Sequence, residues 1–429
     1  MKQTFIKSTI TLIIGGLLTK VLGMVIRILT TRSVGIEGMG LYMLVMPSFN
    51  LFITIATLSL PIAISKLIAE DTKNNKKLLF TTTIVAMLFN ILIILIIFIT
   101  APFIANNLLK NNDLYYPIIA CGLTLPFITL SSIARGYFFG KEKMLPHVTS
   151  NILEQIVRII FIVLFTPFFL KKGVIYAVTA LIIFNIVSEI TSILVLFFFL
   201  PKNSSIKKSD LKVDKDNIKD IFKISIPTTL GRLVGAIGNF FEPIILTFVF
   251  LSLGYSNTYI TNEYGVMSGY VLPMVSMPSF LTGAISSALL PVISKQYARK
   301  KKNEVKRKIK QACFFSMLVG IPATVLFMLF PEFFLELIFK DASGAFYLKI
   351  ASPIFLISYV ASPLMSALQA INKASNVMII SVVSIIIKSI SLFLLTYLDI
   401  GMLSLLLSSG LSYIYLTTSL ILCLRKNLN

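Results

Sequence analysis

The sequence predicts an all-α integral membrane protein, with twelve transmembrane helices in two pseudo-symmetric six-helix lobes around a central cavity. Three observations carry that reading: composition, a series of long apolar runs, and an internal repeat. Of 429 residues, 56% are hydrophobic and 13% charged, with a mean hydropathy of +0.89. Soluble domains carry roughly 25% charged residues.

Runs near or above the ~20 residues needed to span the hydrocarbon core lie at about 8–30, 39–65, 78–104, 114–139, 146–170 and 173–200. A second set lies at about 219–252, 265–293, 311–338, 346–371, 374–398 and 400–424. Between the sets, Pro201 to Asn217 is rich in Lys, Ser and Asp and has no apolar period. The predicted organisation is an N-terminal lobe over 1–200, a cytoplasmic linker over 201–217 and a C-terminal lobe over 218–429. Lys2 and Lys7 precede an apolar run too long for a secretory leader, broken by Lys20 and without a small-x-small cleavage site, so that run is expected to be the first span.

The formal net charge of +21 would suit nucleic acid only if it formed a basic face on a soluble domain. Instead most Lys and Arg fall in alternate loops, which sets the orientation by the positive-inside rule. Both termini are expected in the cytoplasm of a bacterial cell, with the protein in the plasma membrane and no nucleic-acid partner. The densest basic run, Arg299 to Lys310, follows the eighth span and suits anionic lipid headgroups. Cys121, Cys313, Cys423 and the single histidine, His147, make neither a disulfide framework nor a metal-ligand pattern. No metal and no cofactor are expected.

Self-similarity between the halves is direct. Met46-Pro47-Ser48-Phe49 recurs as Met277-Pro278-Ser279-Phe280, and Leu60-Pro61 with Ile64-Ser65-Lys66 recurs as Leu290-Pro291 with Ile293-Ser294-Lys295, an offset of about 230 residues. Lys20-Val21-Leu22-Gly23 matches Arg232-Leu233-Val234-Gly235 at a shorter offset. The second half therefore holds about 19 extra residues between its first two spans, near Gly254 to Tyr264. Each repeat has an even number of spans, so both halves have the same topology, with a substrate site expected near the midplane between them.

Charges within the spans point to function. Lys20, Arg158, Arg232 and Lys388 fall near mid-depth, and the repeat pairs Lys20 with Arg232 and Arg158 with Lys388. Four lipid-facing cations would cost on the order of 10–14 kcal/mol, so they are expected to face inward. Gly16, Lys20, Gly23 and Arg27 share one helical stripe, which leaves room beside the cations. The plainer reading of that stripe is a snorkelling lysine and an interfacial arginine over a tight helix contact. Glu154 precedes Arg158 by four residues and is expected to pair with it. Ser384 stands where the repeat would place a glutamate, so Glu189 is a candidate mate for Lys388 across helices. Arg232 and Glu242 share a stripe but lie about 15 Å apart along the axis. Counting Glu154 and Glu189 against the four cations leaves about two positive charges, a surplus that suits a dianion. Pro47, Pro61, Pro278 and Pro291 recur in the two halves and are candidate hinges.

Leu60 to Glu70 (LPIAISKLIAE), Ala134 to Gly140 (ARGYFFG) and Ile152 to Arg158 (ILEQIVR) resemble the stage V sporulation protein B group. These are polysaccharide and lipid-linked-oligosaccharide flippases of the multidrug/oligosaccharidyl-lipid/polysaccharide exporter superfamily. Thr19 to Arg27 is similar to the first helix of lipid II flippases, whose two basic residues match Lys20 and Arg27. The resemblance implies outward flipping of an undecaprenyl-pyrophosphate-linked saccharide or peptidoglycan precursor by alternating access. It departs after Pro47, where lipid II flippases carry further basic residues and this chain has Asn50, Leu51 and Phe52. On this reading Lys20, Arg27 and Arg232 hold the pyrophosphate, Asn50 and Asn239 meet the sugar, and Glu154, Arg158, Glu189, Glu242 and Lys388 form an intramembrane charge network. The protein is expected to act as a monomer, with membrane lipids as its other partners.

The alternative is a cation-coupled multidrug antiporter of the same superfamily. It needs a cavity carboxylate, and the first helix has no acid between Met1 and Arg32, although Glu154, Glu189 and Glu242 keep it open. An enzyme would need acids, bases or metal ligands in exposed loops, which the loops assigned to the outside scarcely contain. A major-facilitator carrier would carry a Gly- and Arg-rich loop after its second helix, absent from Glu70 to Lys77. A scaffold without transport also remains compatible with the sequence.

Overall fold

The computed structural model describes residues 2–70, 74–200 and 212–428. Among them, six α-helices precede the linker: α1 (Lys2–Thr57), α2 (Leu60–Ala69), α3 (Asn75–Phe103), α4 (Tyr115–Gly140), α5 (Met144–Leu170) and α6 (Val174–Phe198). Nine follow it: α7 (Lys215–Ser252), α8 (Asn257–Gly265), α9 (Leu272–Ser276), α10 (Ser279–Ala298), α11 (Lys302–Leu329), α12 (Pro331–Phe339), α13 (Ala345–Ala370), α14 (Ala374–Tyr397) and α15 (Leu403–Leu428). Among the described residues, 10 helical stretches are long and apolar enough to cross a membrane, or 11 if Asn257–Ser276 and Ser279–Ala298, bent by 47°, make one broken span. One of them, Ile14–Ala69, leaves helical geometry at Gly35, with φ 68° and ψ −170°. That positive φ is a conformation glycine reaches without a Cβ clash. Counted as two spans divided at Gly35, this stretch accounts for the twelve expected. The protein is a multi-pass membrane protein.

Contacts group the chain into two compact units, Met1–Phe240 and Phe241–Asn429. The linker expected over 201–217 lies partly outside the described residues. Packing places the start of α7 with the first unit. There Ile221 joins Leu60, Ile64, Ile68, Leu78 and Ile133 in one buried cluster, and Ile224 packs against it. Just before α7, Asp214 meets the Lys77 ammonium at 2.6 Å. The hydrogen bond from Lys77 holds the Asp214 carboxyl below the usual carboxylate range. That contribution is present above the ordinary carboxylate pKa and is lost as pH falls through the depressed one.

The repeated prolines are used differently in the two units. In the first, the chain breaks at Leu58 (φ 45°) and Ser59 (φ 49°), and Pro61 follows in the first turn of α2, where its missing N–H costs nothing. Pro47 lies inside the continuous second half of α1. In the second unit the interruption falls at Met277 and Pro278, between α9 and α10, while Pro291 lies inside α10. The first unit is thus interrupted beside one member of the repeated proline pair, and the second at the other.

The stretch Ala134 to Gly140 serves close packing. A Cβ at Gly136 would lie 2.7 Å from the Pro61 carbonyl oxygen, and one at Gly140 would lie 2.7 Å from that of Ser65. Two glycines four residues apart thereby let α4 lie against the backbone of α2, as small residues do between membrane helices. In the second unit, Ile293 of α10, Val305 of α11, Ala367 and Leu368 of α13 and Leu420 of α15 form the corresponding core. Some hydroxyls within the spans return to the backbone one turn earlier, as Thr19 does to Gly15 at 2.8 Å and Thr31 to Arg27 at 2.9 Å, so these need no water. The three cysteines are free.

Gly136→Val should force α4 away from α2, because the opposing atoms belong to the backbone and cannot rotate aside. Overpacking of this kind costs about 1–3 kcal/mol, and a lowered unfolding temperature of the purified protein, set beside Gly23→Ala in open space, would measure it.

Candidate anion site and the charges within the spans

The first unit holds a cavity of about 240 Å³ within α1, lined on one side by Gly23, Ile26, Arg27 and Thr30, and on the other by Met39, Tyr42, Met43, Met46 and Asn50. The break at Gly35 folds α1 back on itself, so residues before and after it face each other. Arg27 is half-buried and its guanidinium donates to Met43 Sδ at 3.1 Å. A thioether is a weak, uncharged acceptor, and this contact orients the guanidinium. Gly23 adds space, because nothing lies within 4 Å of where its Cβ would be. Two candidate substrate-binding residues, Arg27 and Asn50, thus share a chamber whose wall includes Met39, Met43 and Met46, side chains that repack around varied shapes.

The other three candidates lie elsewhere. Lys20 is exposed on α1, about 10 Å along the axis from Arg27, and is not among the described lining residues. Arg232 and Asn239 are exposed on α7. The Arg232 guanidinium lies 3.5 Å from Ser59 Oγ, at the break before α2.

The charge network takes a different form from the expected one. Glu154 accepts from Arg158 at 2.9 Å, as the spacing predicts, and also from Arg135 of α4 at 2.5 Å. Arg135 further reaches Glu189 at 3.1 Å and Ser192 Oγ at 2.8 Å. Arg158 reaches Ser188 Oγ at 3.1 Å. Two arginines and two glutamates from three helices therefore form a neutral cluster, with Glu154 and Glu189 each 5% exposed. Glu189 is not the mate of Lys388. That lysine pairs with Glu242 of α7 at 2.5 Å, and Tyr264 of α8 donates to the other Glu242 oxygen at 3.2 Å. Sequence reasoning misses Arg135. It lies five residues from the end of α4 and reads as interfacial, while the visible signal is the polar stripe Ser188, Glu189, Ser192 on α6 that it serves. Glu154, Glu189 and Glu242 thus have Arg135, Arg158 and Lys388 as partners. Among the described residues no group of three or more His, Cys, Asp or Glu is placed to hold a metal ion.

A match to the family described as polysaccharide biosynthesis protein runs over residues 5–297. The chain belongs to this family. The family described as MatE matches residues 243–398. Stage V sporulation protein B of Bacillus subtilis (strain 168) is 33% identical over 404 residues, covering 92% of this chain and 78% of that protein. Lipid II flippase MurJ of the same organism is 24% identical over 421 residues, covering 90% and 76%. Among solved structures, the inward-facing conformation of a multidrug resistance MATE family transporter of the MOP superfamily aligns with a TM-score of 0.73 at 15% identity, covering 96% of this chain and 94% of that one. The inward closed conformation of MurJ aligns with a TM-score of 0.70 at 16% identity, covering 96% and 87%. At these identities the structural likeness shows the fold alone, an all-helical one shared with those transporters.

The neutral cluster predicts a specific imbalance. Glu154→Gln should leave two partly buried guanidiniums against one carboxylate and destabilise the protein by up to about 3–5 kcal/mol. In thermal unfolding, Glu154→Gln combined with Arg158→Gln should recover part of that loss, because the double variant is neutral again.

Proposed function

We propose that the protein is a flippase that moves a lipid-linked oligosaccharide or peptidoglycan precursor from the cytoplasmic to the outer leaflet by alternating access. The product would serve cell-wall, spore-cortex or surface polysaccharide synthesis. One observation supports the reading most: Arg27, with its guanidinium on the Met43 thioether, faces Asn50 across a cavity, in a chain of the polysaccharide biosynthesis protein family. A guanidinium at a cavity wall can bind a phosphate or pyrophosphate by paired N–H donors. The amide of Asn50 offers a donor and an acceptor to a sugar.

Lys20 and Arg232 supply the further positive charge that a pyrophosphate needs, and Asn239 a second amide. The ion-paired residues Glu154, Arg158, Glu189, Glu242 and Lys388, together with Arg135, act as framework. Pro47, Pro61, Pro278 and Pro291 are the candidate hinges, with Pro61 and Pro278 placed at interruptions. The duplication divides the protein into lobes 1–200 and 218–429 joined by the linker 201–217. It acts as a monomer in the bacterial plasma membrane with both termini in the cytoplasm, on an undecaprenyl-pyrophosphate-linked saccharide. Relatives named stage V sporulation protein B and lipid II flippase MurJ support transport of this class over catalysis.

The MatE match over residues 243–398 favours a second reading, cation-coupled drug export. Its candidate carboxylates, Glu189 and Glu242, are each held in an ion pair, which argues against a freely exchanging cation site.

Wild-type protein should restore growth to a strain depleted of its lipid-linked precursor flippases, and the Lys20→Ala/Arg232→Ala variant at equal abundance should not. Failure of the wild type would overturn the flippase reading, and drug accumulation altered by Glu189→Gln would favour export. In proteoliposomes, an inside-negative potential favours outward movement of an anion by roughly 2.3 kcal/mol per charge per 100 mV. Collapsing it should slow flipping, and an unchanged rate would rule out electrogenic transfer of the headgroup.

A further inference from the structure

The extra residues between the first two spans of the second half have no counterpart in the first half, and the anion site does not use them. In the structure they become the end of α7, a short turn at Leu253 to Ser256, and α8. The Ser256 side chain caps α8 by accepting from the Tyr259 N–H at 3.2 Å. This segment builds an aromatic and acidic surface at one end of the second unit. The rings of Tyr255 and Tyr259 stack with centroids 4.7 Å apart and an interplanar angle of 22°. The Tyr255 hydroxyl donates to Asp399 Oδ1 at 2.8 Å, in the turn between α14 and α15. One turn beyond Tyr259 on α8, Glu263 accepts from the Tyr347 hydroxyl of α13 at 2.5 Å. Both stacked rings are half-buried and Asp399 is exposed. The hydrogen bond to Asp399 pushes the Tyr255 hydroxyl above the ordinary tyrosine range, so it stays protonated and donating. Two rigid rings thus stand beside a carboxylate that one hydroxyl holds by a single oxygen.

We propose that Tyr255, Tyr259 and Asp399 form a saccharide-binding surface on the outer side of the second lobe, whose occupant is the sugar of the lipid-linked substrate. The occupant and the side of the membrane rest on the flippase reading. The chemistry rests on the residues. The C–H face of a pyranose is weakly positive and packs on the negative face of an aromatic ring. Its vicinal hydroxyls donate to a carboxylate, which accepts at both oxygens. Tyrosine supplies this contact at little entropic cost because its ring is rigid. The surface lies beyond the end of α7 opposite Lys215, Lys219 and Lys223, on the side to which the positive-inside rule assigns the shorter, less basic loops. It carries a carboxylate rather than a guanidinium, so it suits the neutral hydroxyls of a sugar and not the pyrophosphate assigned to Arg27.

The test uses the full-length detergent-purified protein, with N,N′-diacetylchitobiose and maltose as soluble probes and saturation-transfer NMR as the readout. At least one probe should receive saturation from the wild type. Tyr259→Leu and Asp399→Asn should each weaken that binding about tenfold or more, the usual effect of losing a hydrogen bond to a charged group or an equivalent contact. Tyr259→Phe keeps the ring and should bind like the wild type. Absence of transfer from both sugars, or equal binding by the wild type, Tyr259→Leu and Asp399→Asn, would overturn the proposal. Unfolding temperatures run in parallel separate lost binding from lost folding, and Tyr259→Phe remains informative if the leucine variant is unstable. Because the probes carry no lipid and no phosphate, their binding stands or falls independently of the complementation result.

Discussion

A cation at membrane depth has to meet a carboxylate, water or an anion, and this requirement shapes how the helices of the protein are assembled. Where the cation is structural, it is answered within the protein. Arg135 and Arg158 share Glu154, Arg135 takes Glu189 as well, and serine hydroxyls of α6 complete the coordination. The cluster ties α4, α5 and α6 together at a point where a wrong register would strand a charge. The Glu242–Lys388 pair does the same for α7 and α14 in the second unit. Such pairs add little net stability over apolar packing, but they make misassembly expensive.

Arg27 lies at the wall of a cavity in the first unit. Its contact with Met43 holds the guanidinium at the wall of a cavity, and the neighbouring glycine and methionines leave the chamber adaptable. The proposed function, binding of a bulky anionic headgroup, would use that combination of placed charge and yielding walls. The reversal of α1 at Gly35 is what creates the chamber, so one residue able to adopt a positive φ brings Arg27 opposite Asn50.

The two halves share motifs yet have diverged in how they use them. Chain breaks fall at different members of the same repeated proline pair, beside Pro61 in one unit and at Pro278 in the other. The equivalent cations Arg158 and Lys388 find carboxylates from different places, one from its own helix and one from α7. The extra segment of the second half builds a tyrosine and carboxylate surface that the first half lacks. The halves share sequence motifs, but each has its own points of bending and its own exposed chemistry.

Hydropathy is enough to determine the membrane class and the series of long helical spans, because water-free surroundings force each span into a helix of defined length. The i, i+4 spacing likewise determines the Glu154–Arg158 pair, since both partners lie on one helix. Partners on different helices are another matter. Nothing in the sequence says which face of α4 meets α6, so Arg135 reads as interfacial and Glu189 falls to the wrong cation. Only the tertiary structure, by fixing how the helices rotate and approach one another, decides that Glu242 answers Lys388, that Gly136 is there for the backbone of α2, and that Arg27 and Asn50 face a common space. Periodicity specifies the stripe on which a residue lies, and packing alone specifies what that stripe meets.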